Sequence, residues 1–170
     1  MTTKDFCIKW LAYTLALGLV WVVEAYFLSA IPLFGVKPML LPLCAVAVAV
    51  LEGASGGAGF GLAVGLLFDA TTPGIPGVTI LLMVLLGLGL GLLAQYVLRQ
   101  DLVGCFICSA LALAAIDILR VFWRLLLNAA PLGAMLALAG KEIAWSMCFV
   151  PLVYLVFRWV FNRVPKATVL

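Results

Sequence analysis

The stretch EGASGGAGFGLAVGLLFD, residues 52–69, decides what kind of fold this chain can adopt. Glycine recurs in it at every fourth position, Gly53, Gly57, Gly61 and Gly65, and Asp69 follows at the next step. On a helix, residues four apart lie on one face, so these glycines form a groove that lets another backbone approach closely. The spacing therefore predicts a helix in close contact with a neighbour.

The composition around this stretch is that of an integral membrane protein. Of the 170 residues, 67% are hydrophobic and 10% are charged, and the mean hydropathy is +1.31. A membrane-spanning helix needs roughly 20 apolar residues. The chain can therefore hold about six spans with short loops, and it leaves no room for a soluble domain.

Apolar runs between Gly, Pro and charged residues predict an all-α, polytopic six-helix bundle that forms one membrane domain over residues 1–170. The predicted spans are about 8–31, 39–52, 56–69, 78–98, 102–127 and 143–161. The second and third are short, so they are either two short crossings, which we favour, or a re-entrant hairpin. Residues 128–141 are apolar but interrupted by Pro131, Gly133 and Gly140, and can lie along the interface or dip inward.

The basic residues predict the orientation, because cytoplasmic flanks carry the excess of Lys and Arg. Six crossings with the N-terminus inside place six basic residues on the inner side: Lys4, Lys9, Arg99, Arg158, Arg163 and Lys166. Only Lys37 and Lys141 then lie outside, with Arg124 near that end of the fifth span. We therefore expect both termini in the cytoplasm, and the net charge of +3 suits contact with anionic lipid.

Small residues form a second surface on the fourth predicted span, in the run Gly87-Leu88-Gly89-Leu90-Gly91. Such surfaces serve packing inside one bundle or docking of another protein. The candidate residues for helix packing or a partner interface are Gly53, Gly57, Gly61, Gly65, Gly87 and Gly91. Ala12 and Ala16 in the first span form a third, weaker surface of the same kind.

Ionisable residues inside spans are costly and therefore informative. The candidates for a polar network or a turn are Glu24, Glu52, Asp69, Asp117, Arg120 and Arg124. The last three share one helix face, so we expect Asp117 to pair with Arg120 and Arg124 to reach outward or meet Glu24. A charge network that stabilises the bundle and a ligand or partner site are both open. We expect Asp69 to accept hydrogen bonds from backbone amides of the turn that follows it.

The sequence patterns that resemble catalytic motifs lack the residues that the chemistry requires. The run Gly53-Ala54-Ser55-Gly56 resembles the motif of intramembrane serine proteases, but the chain has no histidine to act as the base. The five cysteines are scattered or lie in apolar helix, so we interpret them as packing residues without disulfides. We expect no catalytic residues, no metal site, no cofactor and no nucleic-acid partner.

One family resemblance emerges from these residues. Glu52-Gly53, Gly59-Phe60-Gly61 and above all Gly65-Leu66-Leu67-Phe68-Asp69 before a glycine-bearing turn resemble MreD, the rod shape-determining membrane protein of bacteria. Ala115-Ile116-Asp117-Ile118-Leu119 and Phe122-Trp123 look similar to the fifth-helix stretch of that family. The resemblance covers roughly residues 38–127, although Arg120 and Arg124 depart from some members.

The resemblance implies a protein without catalytic activity in the bacterial cytoplasmic membrane. It implies a partner of MreC in the elongation machinery (the elongasome), alongside the RodA glycosyltransferase, a class B penicillin-binding transpeptidase and the MreB filament. The implied role is a scaffold that helps to position and regulate peptidoglycan synthesis, and hence cell wall biogenesis and cell shape.

Two other functions remain open. MreD-like proteins look similar in fold to the S components of energy-coupling factor transporters, which capture vitamins or metal ions, and Ala12-x-x-x-Ala16 resembles the motif by which S components dock. Residues 32–38 and 69–77 offer few polar groups to hold a ligand, which favours the scaffold. A membrane enzyme would have to rely on Glu24, Asp69 and Asp117, which lie on separate predicted helices.

Overall fold

The computed structural model describes residues 3–28, 36–71, 77–96, 101–126 and 132–163, and the regular structure in these ranges is entirely helical. In chain order the helices are α1 (Thr3–Val22, continued by a π-helical turn Val23–Leu28), α2 (Leu40–Thr71), α3 (Val78–Tyr96), α4 (Leu102–Leu126), α5 (Leu132–Met147) and α6 (Val150–Arg163). Residues 29–31, 97–98 and 127 at the ends of predicted spans lie outside the described residues. The predicted all-α class is confirmed for the described part of the chain.

Among the described residues, four helices are long and apolar enough to cross a membrane: α2, α3, α4, and the segment Cys7–Tyr26 of α1 and its π-helical turn. A fifth arises if α5 and α6, which are bent by 43°, form one broken span. The chain is therefore a helical multi-pass membrane protein. Six separate membrane-length helices are not found among the described residues, because residues 40–71 form one element with a break at Gly53 and the last predicted span is divided in two.

The last span begins earlier than predicted. Helix α5 starts at Leu132, not near residue 143, and it includes Gly133 and Gly140. Glycine disfavours helix by only about 1 kcal/mol relative to alanine, whereas backbone groups in an apolar environment must be hydrogen-bonded. The helix is interrupted later, between Met147 and Val150, because Pro151 has no N–H to donate the next helical hydrogen bond.

Helix α2 folds back on itself at Gly53, whose backbone has φ 82° and ψ −167°, a conformation suited to glycine. A β-carbon placed on Gly57 would lie 2.9 Å from the Cα of Ala49. In a straight helix these positions would be about 12 Å apart along the axis. Residues 40–52 and 54–71 are therefore two arms of a helical hairpin, which we call the first and second arm.

The first arm of α2 lies at the centre of the bundle. All residues from Leu40 to Leu51 are buried, which fits a run that is apolar on every side. It is about 20 Å long and so shorter than the roughly 30 Å hydrocarbon core of a bilayer. The structure therefore surrounds a short central helix with longer ones.

The second arm of α2 packs antiparallel on α3 through glycine. A β-carbon on Gly61 would lie 2.5 Å from the carbonyl oxygen of Met83, and one on Gly65 would lie 2.9 Å from the Cα of Ile80. Gly57 and Gly87 face each other in the same way, with each carbonyl oxygen against the other residue's missing side chain. The two backbones are thus too close for any side chain between them.

Aromatic rings join α1, the second arm of α2, and α6. Tyr13 stacks on Phe157 with ring centroids 6.0 Å apart, and Phe60 meets Phe157 edge-on at 5.7 Å. All three side chains are buried. Offset and edge-on pairs of this kind stabilise a core beyond the area that they bury.

Candidate functional site: a charged cavity at one end of the bundle

A cavity of about 410 Å³ opens where the end of α2, the start of α3, the end of α4 and helix α5 meet. Six of its lining residues are polar or charged: Lys37, Thr79, Asp117, Arg120, Arg124 and Glu142. The rest of the wall is apolar and includes Phe68, Leu82 and Trp123. We call this the cavity end of the bundle. A mainly apolar cleft with a few convergent polar groups is the usual form of a ligand site.

Helix α4 supplies three of the charges. Asp117, Arg120 and Arg124 all line the cavity, as expected for positions three and seven residues apart on one helix face. The expected pairing of Asp117 with Arg120 is wrong. Arg120 instead pairs with Glu142 of α5 at 3.3 Å, and its guanidinium lies 5.3 Å from the ring centroid of Phe68. Glu142 competes successfully because α5 runs alongside this face of α4.

Asp117 therefore does not form the predicted ion pair with Arg120. The residue is 6% exposed, and its Oδ2 atom is buried with no hydrogen-bond partner. Such atoms are rare in folded proteins, because a buried carboxyl oxygen without a donor loses its interactions with water and gains nothing in return.

Glu24 does not meet Arg124, as one expectation had it, but interacts with the start of α2. The Leu41 N–H donates to its Oε2 at 2.9 Å, and the Met39 N–H donates to the hydroxyl of Ser146 at 2.9 Å. The first amides of a helix have no partner within the helix and carry its positive dipole end. Side chains from two distant helices therefore cap a helix that begins inside the protein.

Asp69 closes the turn between α2 and α3 at the cavity end. The Gly77 N–H donates to its Oδ2 at 3.1 Å, and Gly77 has a positive φ of 85°. This contact confirms the expected hydrogen bond from a backbone amide of the following turn. Residues 72–76 of that turn lie outside the described residues.

A second polar cluster lies at the opposite end of the bundle, beside the bend of α2. Glu52 accepts from Lys9 Nζ at 2.5 Å and from the Tyr13 hydroxyl at 2.7 Å. Lys9 also lies over the ring of Phe161, 5.9 Å from its centroid. The amide of Gln95 occupies the space where Gly53 has no side chain. Glu52, Lys9 and Tyr13 satisfy one another, so the cluster tethers α1 to the bend of α2.

The six candidate glycines serve contacts within the chain. Gly53 makes the bend of α2, while Gly57, Gly61 and Gly65 face α3. On α3, Gly87 lies against Gly57, and a β-carbon on Gly91 would lie 2.6 Å from the Cα of Ala54. The structure therefore uses this surface for internal packing.

Five residues in these contacts are absent from the predicted site residues: Lys9, Tyr13, Gln95, Glu142 and Ser146. Lys9 and Glu142 did carry a signal, because each is a charge beside or within an apolar run. Their partners lie 43 and 22 residues away, and no local periodicity reports such distances. Among the described residues, no group of three or more His, Cys, Asp or Glu side chains could hold a metal ion.

No family model, curated protein or solved structure matches this chain. Its class therefore follows from its own helices and composition: it is a helical multi-pass membrane protein whose bundle has a charged cavity at one end.

Proposed function

We propose that this chain is a non-catalytic membrane scaffold of the bacterial cell-elongation machinery, of the MreD kind. In this proposal it lies in the cytoplasmic membrane with both termini in the cytoplasm, and it binds MreC. RodA and a class B penicillin-binding transpeptidase join it directly or through MreC. Its role is to position and regulate peptidoglycan synthesis.

The residues that carry the MreD resemblance support a scaffolding role. Glu52 is held by Lys9 and Tyr13, Gly53 forms the bend, and Asp69 closes the next turn. The glycines between them bring α2 and α3 into backbone contact. In this fold the residues of the motif form the bend of α2, its contact with α3 and the following turn.

The observation that carries the proposal is the open face of α5. Only Met135 and Ser146 of this helix are buried, and a β-carbon on Gly133 or Gly140 would meet nothing within 4 Å. The helix is nevertheless fixed in place, by the Arg120–Glu142 pair and the Met39–Ser146 hydrogen bond. A helix that is held in place and exposes small residues offers a surface on which a partner helix can pack closely.

The test is recovery of partners from native membranes with a tagged protein and its Gly140→Leu variant. We expect MreC, RodA and the transpeptidase to copurify with the unchanged chain, and Gly140→Leu to reduce MreC recovery at least fivefold without changing thermal stability. Gly89→Leu on α3 is the matched control, because its added side chain also enters open space. Equal recovery with both variants, or no MreC with the unchanged chain, would refute the proposal.

The cavity favours one second candidate, an S component of an energy-coupling factor transporter. The outer segments were expected to be poor in polar groups, but α4 and α5 bring Asp117, Arg120, Arg124 and Glu142 to that end. Against this candidate, Ala12 and Ala16 are partly buried against the core rather than presented for docking. Recovery of an ATPase pair and a transmembrane coupling subunit in the same experiment would select it.

A further inference from the structure

Asp117 is a polar residue of the cavity wall with an unsatisfied hydrogen-bond acceptor. Its side chain is 6% exposed and its Oδ2 has no partner. Helix α4 ends nine residues later, at Leu126, so Asp117 lies about 13 Å inside that end. The carboxyl group of Asp117 thus lines the cavity while one of its oxygens is buried and has no hydrogen-bond donor among the described residues.

Two cations lie nearer the helix ends. Arg124 is on the same face of α4, about 10 Å further along the axis, and Lys37 lines the cavity from the segment before α2. Among the described residues the ion pairs are Lys9–Glu52 and Arg120–Glu142. Neither Arg124 nor Lys37 lies within ion-pair distance of a described carboxylate, although Arg124 interacts at longer range with Asp117 and Glu142. Both cations can therefore still hold an anion.

The rest of the cavity wall is largely apolar. Phe68, Leu82, Ile116, Leu119 and Leu138 line it. A soluble ion would leave this surface in contact with water, whereas a molecule with an apolar part would cover it.

We propose that the cavity binds an amphipathic phosphate ester whose headgroup also carries a hydrogen-bond donor, the chemistry of ethanolamine or glycerol phospholipids. The ammonium or hydroxyl group donates to Asp117, the phosphate lies between Arg124 and Lys37, and the acyl part covers the apolar wall. The proposal is independent of the scaffold function, since it rests on the cavity alone.

The experiment compares three phospholipids on delipidated, purified protein by native mass spectrometry and thermal shift. Phosphatidylethanolamine and phosphatidylglycerol both carry donors, whereas phosphatidylcholine has the same phosphate and no N–H or O–H in its headgroup. We expect the first two to bind at least tenfold more tightly than phosphatidylcholine. Soluble phosphoethanolamine and glycerol phosphate form a second arm, and binding as tight as that of the lipids would assign the site to a soluble ester with this headgroup.

Variants connect the preference to the cavity. Asp117→Leu removes the unpartnered carboxyl, so we expect the lipid-free protein to be at least as stable as before while its preference for phosphatidylethanolamine disappears. Asp117→Asn keeps the shape and one acceptor but loses the charge, and should weaken ethanolamine binding more than glycerol binding. Arg124→Gln should weaken all three lipids. Asp69→Asn, outside the cavity lining, is the control.

Two results would overturn the inference. One is equal binding of phosphatidylcholine and phosphatidylethanolamine by the unchanged protein. The other is a donor preference that persists in Asp117→Leu, which would mean that water alone satisfies Asp117. MreC recovery is measured separately, so the failure of this inference is distinguishable from the failure of the scaffold proposal.

Discussion

Glu52 shows how a single charge is accommodated in this apolar chain. Its two carboxylate oxygens accept separately from Lys9 and Tyr13, and the side chains of Glu52 and Lys9 are 14% and 13% exposed. A charge taken out of water is tolerated when it is both paired and hydrogen-bonded. The three residues therefore have to be considered as one unit.

This unit yields a prediction for Lys9. Lys9→Met leaves Glu52 charged with only the Tyr13 hydroxyl as partner, so we expect a loss of about 3 kcal/mol in the free energy of unfolding. The double variant Lys9→Met with Glu52→Gln removes the stranded charge and should regain most of that loss. Thermal unfolding in detergent measures both. Equal stability of the single and double variants would contradict the interpretation.

At the scale of elements, the contact between the second arm of α2 and α3 depends on missing side chains. The two backbones touch at Gly57, Gly61 and Gly65, where any β-carbon would meet main-chain atoms. Main-chain atoms cannot move aside as a flexible side chain can, so the helices themselves would have to separate. Elsewhere on the same helices, Gly59 and Gly89 have room.

We therefore predict opposite outcomes for two substitutions on one helix arm. Gly61→Ala places a methyl group 2.5 Å from the Met83 carbonyl oxygen and should cost about 1 to 3 kcal/mol of stability. Gly59→Ala meets only the ring of Trp10, at an ordinary 3.9 Å, and should leave stability unchanged. Chemical or thermal unfolding compares the two. Equal stability of the Gly61→Ala and Gly59→Ala variants would show that the close backbone contact at Gly61 is not needed for the packing of the two helices.

Helix α2 also illustrates why a short element can begin inside a membrane protein. Its first amides are capped by Glu24 and Ser146, which come from opposite ends of the sequence. Free N–H groups in an apolar interior would be costly. The cap makes the position of this helix depend on two others, since α1 with its π-helical turn and α5 have to assemble around the start of α2.

At the scale of the whole molecule, the contacts give the bundle two distinct ends. Lys9, near the start of α1, lies over Phe161, near the end of α6. Lys37, Asp69 and Arg124 belong to the opposite, cavity end. An even number of crossings would place both termini on one side of the membrane, as the distribution of Lys and Arg predicts.

Single-cysteine labelling tests this arrangement in a background from which the other cysteines have been removed. Cys7 is exposed, as is Asn162 at the far end of α6, so we expect Cys7 and Asn162→Cys to react with an impermeant maleimide only after the membrane is opened. Lys37→Cys at the cavity end should react in intact cells. Reaction of Cys7 and Asn162→Cys from opposite sides would require an odd number of crossings.

The sequence predicted a good part of this molecule. Apolar runs identified α1, α3 and α4 to within a few residues. The exceptions are the N-terminal extension of α1 and the end of the predicted α3 span, which lies outside the described residues. The glycine spacing identified α2. The predicted pairings were wrong where a residue distant in sequence made the contact instead. Arg120 pairs with Glu142 rather than with Asp117, and Glu24 accepts a hydrogen bond from the start of α2 rather than meeting Arg124. The early start of α5 was missed because glycine and proline signal breaks in water more reliably than in lipid.

By itself the sequence determined that this is a helical membrane protein with a closely packed, glycine-lined helix, because hydropathy and a four-residue period are local properties of the chain. Only the tertiary structure decided that α2 folds back at Gly53, that Glu52 is neutralised by Lys9, and that charges from α4 and α5 surround a cavity with an unpartnered Asp117. These features depend on which side chains meet across helices. Such meetings are determined by how the whole bundle packs, which no single segment encodes.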